Sequence, residues 1–184
     1  MIIGFSGLAR SGKNEASNAL LDYNFNVVAF ADKLKEFLWN VNPYMRNAAD
    51  NTYLCLQEVH KRYGGWEGMK NSPYHNCYRQ LMQNIGTEAG RGVLGSHIWI
   101  DALDHKLTVS KNYAITDIRF PNEEEYVRSR GGITIRIERP GLQKVNEHAS
   151  EQLSFESHYV ILNNGSIEEL HKKVANIYER HEND

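Results

Sequence analysis

Apolar residues along the chain fall into short runs separated by stretches of helical spacing, and that rhythm sets the first expectations. Ile2-Ile3-Gly4-Phe5-Ser6 is a brief apolar run that ends in a glycine-rich turn, with helix-favouring sequence from residue 12 to about 22. Val27-Val28-Ala29-Phe30 is a second run of the kind given by a strand buried on both faces. Leu34, Phe37 and Leu38 then recur at helical spacing. Further strands are expected over 113–116, 133–137 and 159–162. Helices are expected over 54–63, from 77 to near Gly90, over 98–109, from Pro121 to about 130, and after the capping box Ser166-Ile167-Glu168-Glu169. Short apolar strands alternating with helices predict a parallel sheet covered on both faces, an α/β three-layer sandwich. The stretch from Val41 to Asn76 mixes Asn, Tyr, Gly and charge, and is read as an insertion outside that sheet. Residues 139 to 157, with Pro140 and Gly141, read as a loop between two core strands.

Composition narrows the function classes. Apolar residues make up 41% and charged residues 24% of 184, ordinary values for a globular domain. A net charge of -2 argues against binding nucleic acid through bulk positive charge. Cys55 and Cys77 are far apart and outside any CxxC, so they predict neither a disulfide framework nor a thiolate metal site. The start Met1-Ile2-Ile3-Gly4-Phe5 lacks the marks of a signal peptide, and no run approaches the roughly 20 apolar residues of a membrane span. The expectation is a soluble cytoplasmic protein without membrane or nucleic-acid partners.

The most specific motif is Gly7-Leu8-Ala9-Arg10-Ser11-Gly12-Lys13, which matches G-x-x-x-x-G-K between a strand and a helix. Glycines let the backbone curl so that amide groups face a phosphate, and Lys13 brings a full charge to the β- and γ-phosphates of ATP. Gly7, Ala9, Arg10, Ser11, Gly12, Lys13 and Asn14 are therefore candidate ATP contacts. Asn14 stands where a Ser or Thr hydroxyl commonly meets Mg²⁺, and its amide oxygen can serve directly or through water. Asp117 ends the third strand, where a carboxylate that supports Mg²⁺ from behind its direct ligands is expected, and Arg119 beside it can neutralise phosphate.

Other candidates are balanced against plainer readings. Asp32 and Lys35 follow the second strand and suit an acceptor phosphate, although Asp32 also complements a helix start. Arg79 and Gln83 share a helix face and could hold phosphate and read a base, or be an ordinary polar surface. Arg136, Arg139 and Lys144, with His148 and Glu151, are candidate charges of a phosphate-covering loop or simple surface residues. Asn163-Asn164-Gly165 could contact adenine or form a turn.

Taken in order, these motifs resemble the phage-type deoxynucleoside monophosphate kinases, relatives of the dephospho-CoA kinases among P-loop kinases. Carrying the resemblance are Gly7 to Lys13, Phe30-Ala31-Asp32-Lys33-Leu34-Lys35, Arg79 to Gln83 with Gly86-Thr87-Glu88, and Ile115-Thr116-Asp117-Ile118-Arg119-Phe120. Arg139-Pro140-Gly141, His148-Ala149-Ser150-Glu151 and Val160 to Ser166 complete it. The resemblance implies a single P-loop kinase domain over 1–184, with five parallel strands, a substrate-binding insertion at about 40–95 and a lid at about 139–157. It implies transfer of the ATP γ-phosphate to a nucleoside monophosphate with Mg²⁺, in the host cytoplasm if the chain is phage-encoded. Lys13, Arg119 and Asp32 would act in catalysis. Asp32, Lys35, Arg79, Gln83, Asp117 and Arg119 would hold the acceptor, Arg139 and Lys144 would be lid cations, and Asn163 and Gly165 would meet adenine. Asn14 and Asp117 would serve the metal. Rival readings are another acceptor such as dephospho-CoA or a nucleoside, an ATP-driven switch module, or a binding protein that has lost catalysis. Whether the chain pairs as a homodimer stays open.

Overall fold

A computed structural model describes residues 1–143 and 148–182. In chain order the elements are β1 (Ile2–Ser6), α1 (Lys13–Asn18), β2 (Phe25–Val28), α2 (Ala31–Val41), β3 (Tyr44–Arg46), β4 (Tyr53–Cys55), α3 (Leu56–Arg62) and α4 (Gly65–Met69). They continue with α5 (His75–Gln83), a π-helical stretch Asn84–Leu94, α6 (Ile98–Asp104), β5 (Asn112–Ile118), α7 (Pro121–Ser129), β6 (Ile133–Glu138), β7 (Tyr159–Leu162) and α8 (Ile167–Glu182). The chain divides into two compact units, Met1–Phe30 with Leu103–Asp184, and Ala31–Ala102. The expected insertion of about 40–95 falls within the second. Among the described residues, no helix is long and apolar enough to cross a membrane.

The first unit holds a five-stranded parallel sheet in the order β2-β5-β1-β6-β7, as the alternation of strands and helices predicts. Each residue of β1 is buried, because both faces of this central strand are covered. Ile3 and Phe5 point to one face and pack with Ala16 and Leu20 and with Leu170 and Val174 of α8. Gly4 faces the other way, where an added Cβ would lie 3.2 Å from Val127 of α7. β1 pairs with β5 through Ile3 and Ala114, and with β6 through Ile3 and Ile133, so the loop after β1 leaves from the middle of the sheet. α8 starts as its capping box predicts: Glu169 N donates to Ser166 Oγ and Ser166 N to Glu169 Oε2, both at 3.2 Å.

The second unit is helical around a core of Leu34, Leu38, Met45, Leu56, Val59, Met69, Tyr74 and Tyr78. It also contains the antiparallel hairpin β3–β4, paired Met45 to Leu54, which the sequence reading does not anticipate. The turn between its strands is built from local side-chain bonds, with Ala49 N donating to Asn47 Oδ1 at 2.8 Å and Thr52 N to Asp50 Oδ1 at 3.0 Å.

Of the helices whose bounds differ from expectation, two do so for visible reasons. The one expected from 77 to 90 keeps α geometry only to Gln83 and then widens. Gly86 and Gly90 lie in the widened part: Trp99 Nε1 donates to Gly86 O at 2.7 Å, and a Cβ at Gly90 would meet the Trp99 ring at 2.8 Å. The helix expected over 98–109 stops at Asp104, where Lys106 N and Leu107 N turn back to the carbonyls of Leu103 and Asp104.

Candidate functional site

In the first unit the chemistry gathers after β1. Gly7 and Gly12 adopt φ values of 142° and 103°, backbone shapes that side chains rarely allow. A Cβ at Gly7 would sit 2.4 Å from Ile137 O, and one at Gly12 2.5 Å from Asn163 Nδ2. The turn is therefore pressed between β6 and the end of β7, and only glycine fits both contacts. Ser11 N donates to Leu8 O at 3.2 Å to close the turn, while Ala9 is half-buried and Arg10 points to solvent at φ 67°. Lys13 opens α1 and folds back, its Nζ donating to Gly7 O and Leu8 O at 2.8 Å each. The ammonium thus lies against the backbone curl that precedes it.

Asn163 Nδ2 donates to Ser11 O at 2.8 Å, so a residue expected near adenine braces the phosphate loop. Gly165 leaves room for the Glu169 carboxylate that caps α8, since a Cβ there would overlap Glu169 Oε2.

A cleft of about 320 Å³ lies against the loop, lined by Gly7, Leu8 and Ser11 and by Arg136, Arg139 and Glu151. Ser11 Oγ and Arg136 Nε are buried and have no hydrogen-bond partner among the described residues. Two polar donors in that state beside a glycine-rich curl suit an anionic ligand. Arg136 is otherwise held by Leu153 O and Phe155 O, with its guanidinium 5.5 Å from the Phe155 ring centre. Of the two expected lid cations, Arg139 lines this cleft and Lys144 lies outside the described residues.

Asp117 and Arg119 lie at and just beyond the end of β5. Asp117 Oδ1 accepts from Phe30 N at 2.7 Å, which ties the end of β5 to the chain leaving β2. Arg119 Nη1 donates to Glu151 Oε1 at 2.9 Å and to Ser150 O at 3.3 Å. Its backbone is fixed separately, because the buried Glu123 carboxylate accepts from Arg119 N at 2.8 Å and Phe120 N at 3.1 Å. Glu123 carried no functional signal in the sequence; a Glu three residues after the Phe120 that precedes a helix-opening Pro could have been read as a cap. Asn14 is exposed in the first turn of α1. Among the described residues no cluster of three or more His, Cys, Asp or Glu could hold a metal alone. The amide oxygen of Asn14 and the carboxylate of Asp117 are donors of the kind Mg²⁺ accepts beside phosphates and water.

In the second unit, Asp32 and Lys35 share one face of α2, with Lys35 Nζ 3.3 Å from Asp32 Oδ1. They line a cleft of about 350 Å³ with Glu36, Trp39, His60 and Trp66. Arg79 and Gln83 are half-buried on α5 and are not among its lining residues. The aromatic walls were missed in the sequence; Trp39 at seven residues from Asp32 was the available signal.

A family model described as deoxynucleotide monophosphate kinase matches residues 66–174. A protein of Acanthamoeba polyphaga mimivirus named "Putative deoxynucleotide monophosphate kinase" is 31% identical over 95% of this chain and 94% of its own length. The deoxynucleotide monophosphate kinase of Escherichia phage RB69 is 32% identical over 54% of this chain and 43% of its own length. Among solved structures, TT1252 from Thermus thermophilus superposes with a TM-score of 0.51 over 98% of this chain and 97% of that one, at 15% identity, a likeness of fold alone.

Proposed function

The chain belongs to the deoxynucleotide monophosphate kinase family, and from that premise we propose how its residues divide the transfer of the ATP γ-phosphate to a deoxynucleoside monophosphate. The observation that carries the reading is the Gly7–Lys13 curl beside a cleft in which Ser11 Oγ and Arg136 Nε lack partners among the described residues.

The curl and Lys13 hold the donor phosphates, with Arg136 and Arg139 adding charge from the facing wall. Lys13 exchanges its two backbone carbonyls for phosphate oxygens, so its charge is already at the loop when ATP arrives. An acceptor phosphate is a competent nucleophile at neutral pH, so no strong general base is needed. Catalysis is positioning and charge neutralisation by Lys13 and Arg119. Asp32, Lys35, Arg79 and Gln83 serve the acceptor, and Asn163 supports the loop while Gly165 admits the Glu169 cap. Asn14 and Asp117 would hold Mg²⁺, which when bound would add positive charge at the donor phosphates. Such an enzyme draws on ATP and monophosphate pools and belongs in the cytoplasm.

ADP release from ATP·Mg²⁺ with each deoxynucleoside and ribonucleoside monophosphate, and with dephospho-CoA, tests this reading. Release confined to deoxynucleotides and abolished by Lys13→Ala supports it. Release without acceptor, or only with dephospho-CoA, overturns it.

A further inference from the structure

Glu151 and Leu153 line the phosphate-loop cleft, in a segment that is fastened at several points. Arg119 Nη1 donates to Ser150 O at 3.3 Å, Arg128 Nη2 donates to Glu156 O at 3.2 Å, and the hydroxyls of Ser157 and Ser6 lie 3.3 Å apart. Between these points sits a tight turn. Phe155 N donates to Leu153 O at 2.9 Å, and Leu153 holds a φ of 47°, left-handed backbone that a bulky side chain seldom adopts. Such strain persists where surrounding contacts fix it, and here one of those contacts is Arg136.

The guanidinium of Arg136 reaches this turn from β6. Its Nη2 donates to Leu153 O at 3.3 Å and to Phe155 O, and its central carbon lies 5.5 Å from the centre of the Phe155 ring, over the ring face. A cation at that distance over an aromatic face is attracted to it. Two carbonyls and one ring therefore hold the arginine. Its Nε is buried and has no partner among the described residues, and the same is true of Ser11 Oγ in the same cleft. An arginine whose only task was to tie down the turn would bury its donors paired. Here the turn occupies Nη2 and leaves Nε for an anion.

We infer that Phe155 is a positioning residue for the donor phosphates: with the Leu153 turn it holds Arg136 so that Nε meets phosphate in the Ser11 cleft. The inference rests on the kinase reading above, which sets the donor phosphates against the Gly7–Lys13 curl. Phe155 acts through Arg136 and not on phosphate itself. Its ring draws the guanidinium by the face, and the carbonyls of residues 153 and 155 fix its rotation. The charge is then in place before ATP arrives, and little ordering is left to cost affinity. A lysine at position 136 could not be held in this way, because an ammonium has no plane for the ring and the carbonyls to orient.

Equilibrium binding of ATP to the full chain, measured by calorimetry, tests the assignment. Phe155→Leu keeps the apolar bulk without the aromatic face, and should weaken ATP binding about three- to tenfold, the range of one cation–π contact. Phe155→Tyr should bind within about twofold of the wild type. Inorganic tripolyphosphate, a probe with the charge and no base, should lose affinity in Phe155→Leu by the same factor as ATP. The KM for the monophosphate should stay within about twofold. Arg136→Gln should weaken ATP binding at least as far, and adding Phe155→Leu to it should have no further effect, because the guanidinium is gone. The positioning role is overturned, and the kinase reading left standing, if ATP affinity is unchanged in Phe155→Leu or in Arg136→Gln. A loss shared by Phe155→Tyr, absent with tripolyphosphate, or undiminished in the Arg136→Gln background overturns it equally. A wild type that binds neither ATP nor tripolyphosphate overturns both.

Discussion

Arg119 Nη1 lies 2.9 Å from Glu151 Oε1, and the two differ sharply in exposure: the arginine side chain is 39% accessible and the glutamate 4%. A buried carboxylate thus holds a half-exposed guanidinium at the end of β5, with Glu123 fixing the backbone beneath it. If Arg119 neutralises phosphate during transfer, Glu151 is the group that aims it. Glu151→Ala should lower kcat about tenfold with little change in the KM for ATP, whereas Arg119→Ala should lower kcat about a hundredfold or more. The double variant should be no worse than Arg119→Ala alone, a non-additivity that steady-state kinetics would detect.

Lys13 presents a different case, because its ammonium is bonded to two backbone carbonyls of the loop. Lys13→Ala should reduce kcat/KM at least a hundredfold. Thermal unfolding should shift by only a few degrees, because the side chain is half-buried and its bonds to Gly7 O and Leu8 O are each worth about 1 kcal/mol. Lys13→Arg should not restore activity, since the planar guanidinium does not fit the tight curl that Gly7 and Leu8 present.

Asn163 and Gly12 form one contact that constrains the loop from the side of β7. Asn163→Ala removes the bond to Ser11 O and should raise the KM for ATP several-fold while costing about 1 kcal/mol of stability. Gly12→Ala combines a disfavoured φ of 103° with a Cβ only 2.5 Å from Asn163 Nδ2. It should be the more damaging change, by about 1–3 kcal/mol. Denaturant unfolding of both variants, with ATP titration, would check the order. In the Asn163→Ala background the Gly12→Ala penalty should shrink, because the clashing amide is gone.

His158 predicts a pH dependence. Its Nδ1 accepts from Thr134 N at 3.0 Å, and its Nε2 lies 3.2 Å from Arg128 Nη1, so the neutral ring fits the site. Burial, and then the Arg128 charge, push its pKa below the ordinary histidine value; Glu124 opposes this and His181 adds to it. The unfolded chain takes up a proton near pH 6.5 while the folded chain resists it. This contribution to stability is therefore present above about pH 6.5 and is lost as the pH falls below it. Melting temperature measured from pH 8 to 5 should drop more steeply for the wild type than for His158→Asn, whose amide oxygen can accept from Thr134 N without titrating.

Much of this protein could be read locally. Five short apolar runs, separated by helical spacing and by Gly-Lys, Pro and Ser-x-x-Glu signals, specify parallel strands, the phosphate curl and the start of α8, because each signal lies within a few consecutive residues. The hairpin at 44–55 and the widening after Gln83 were not legible. The first depends on a turn closed by Asn47 and Asp50 side chains, the second on Trp99 reaching Gly86 across thirteen residues. Tertiary structure alone decided that Asn163 supports Ser11, 152 residues away, that Glu151 pairs with Arg119, and that Trp39, His60 and Trp66 face one cleft. Residue type and periodicity report which face of an element is apolar. They carry no record of which distant side chain will meet a given backbone oxygen, since that is set only when packed elements bring the two within hydrogen-bonding distance.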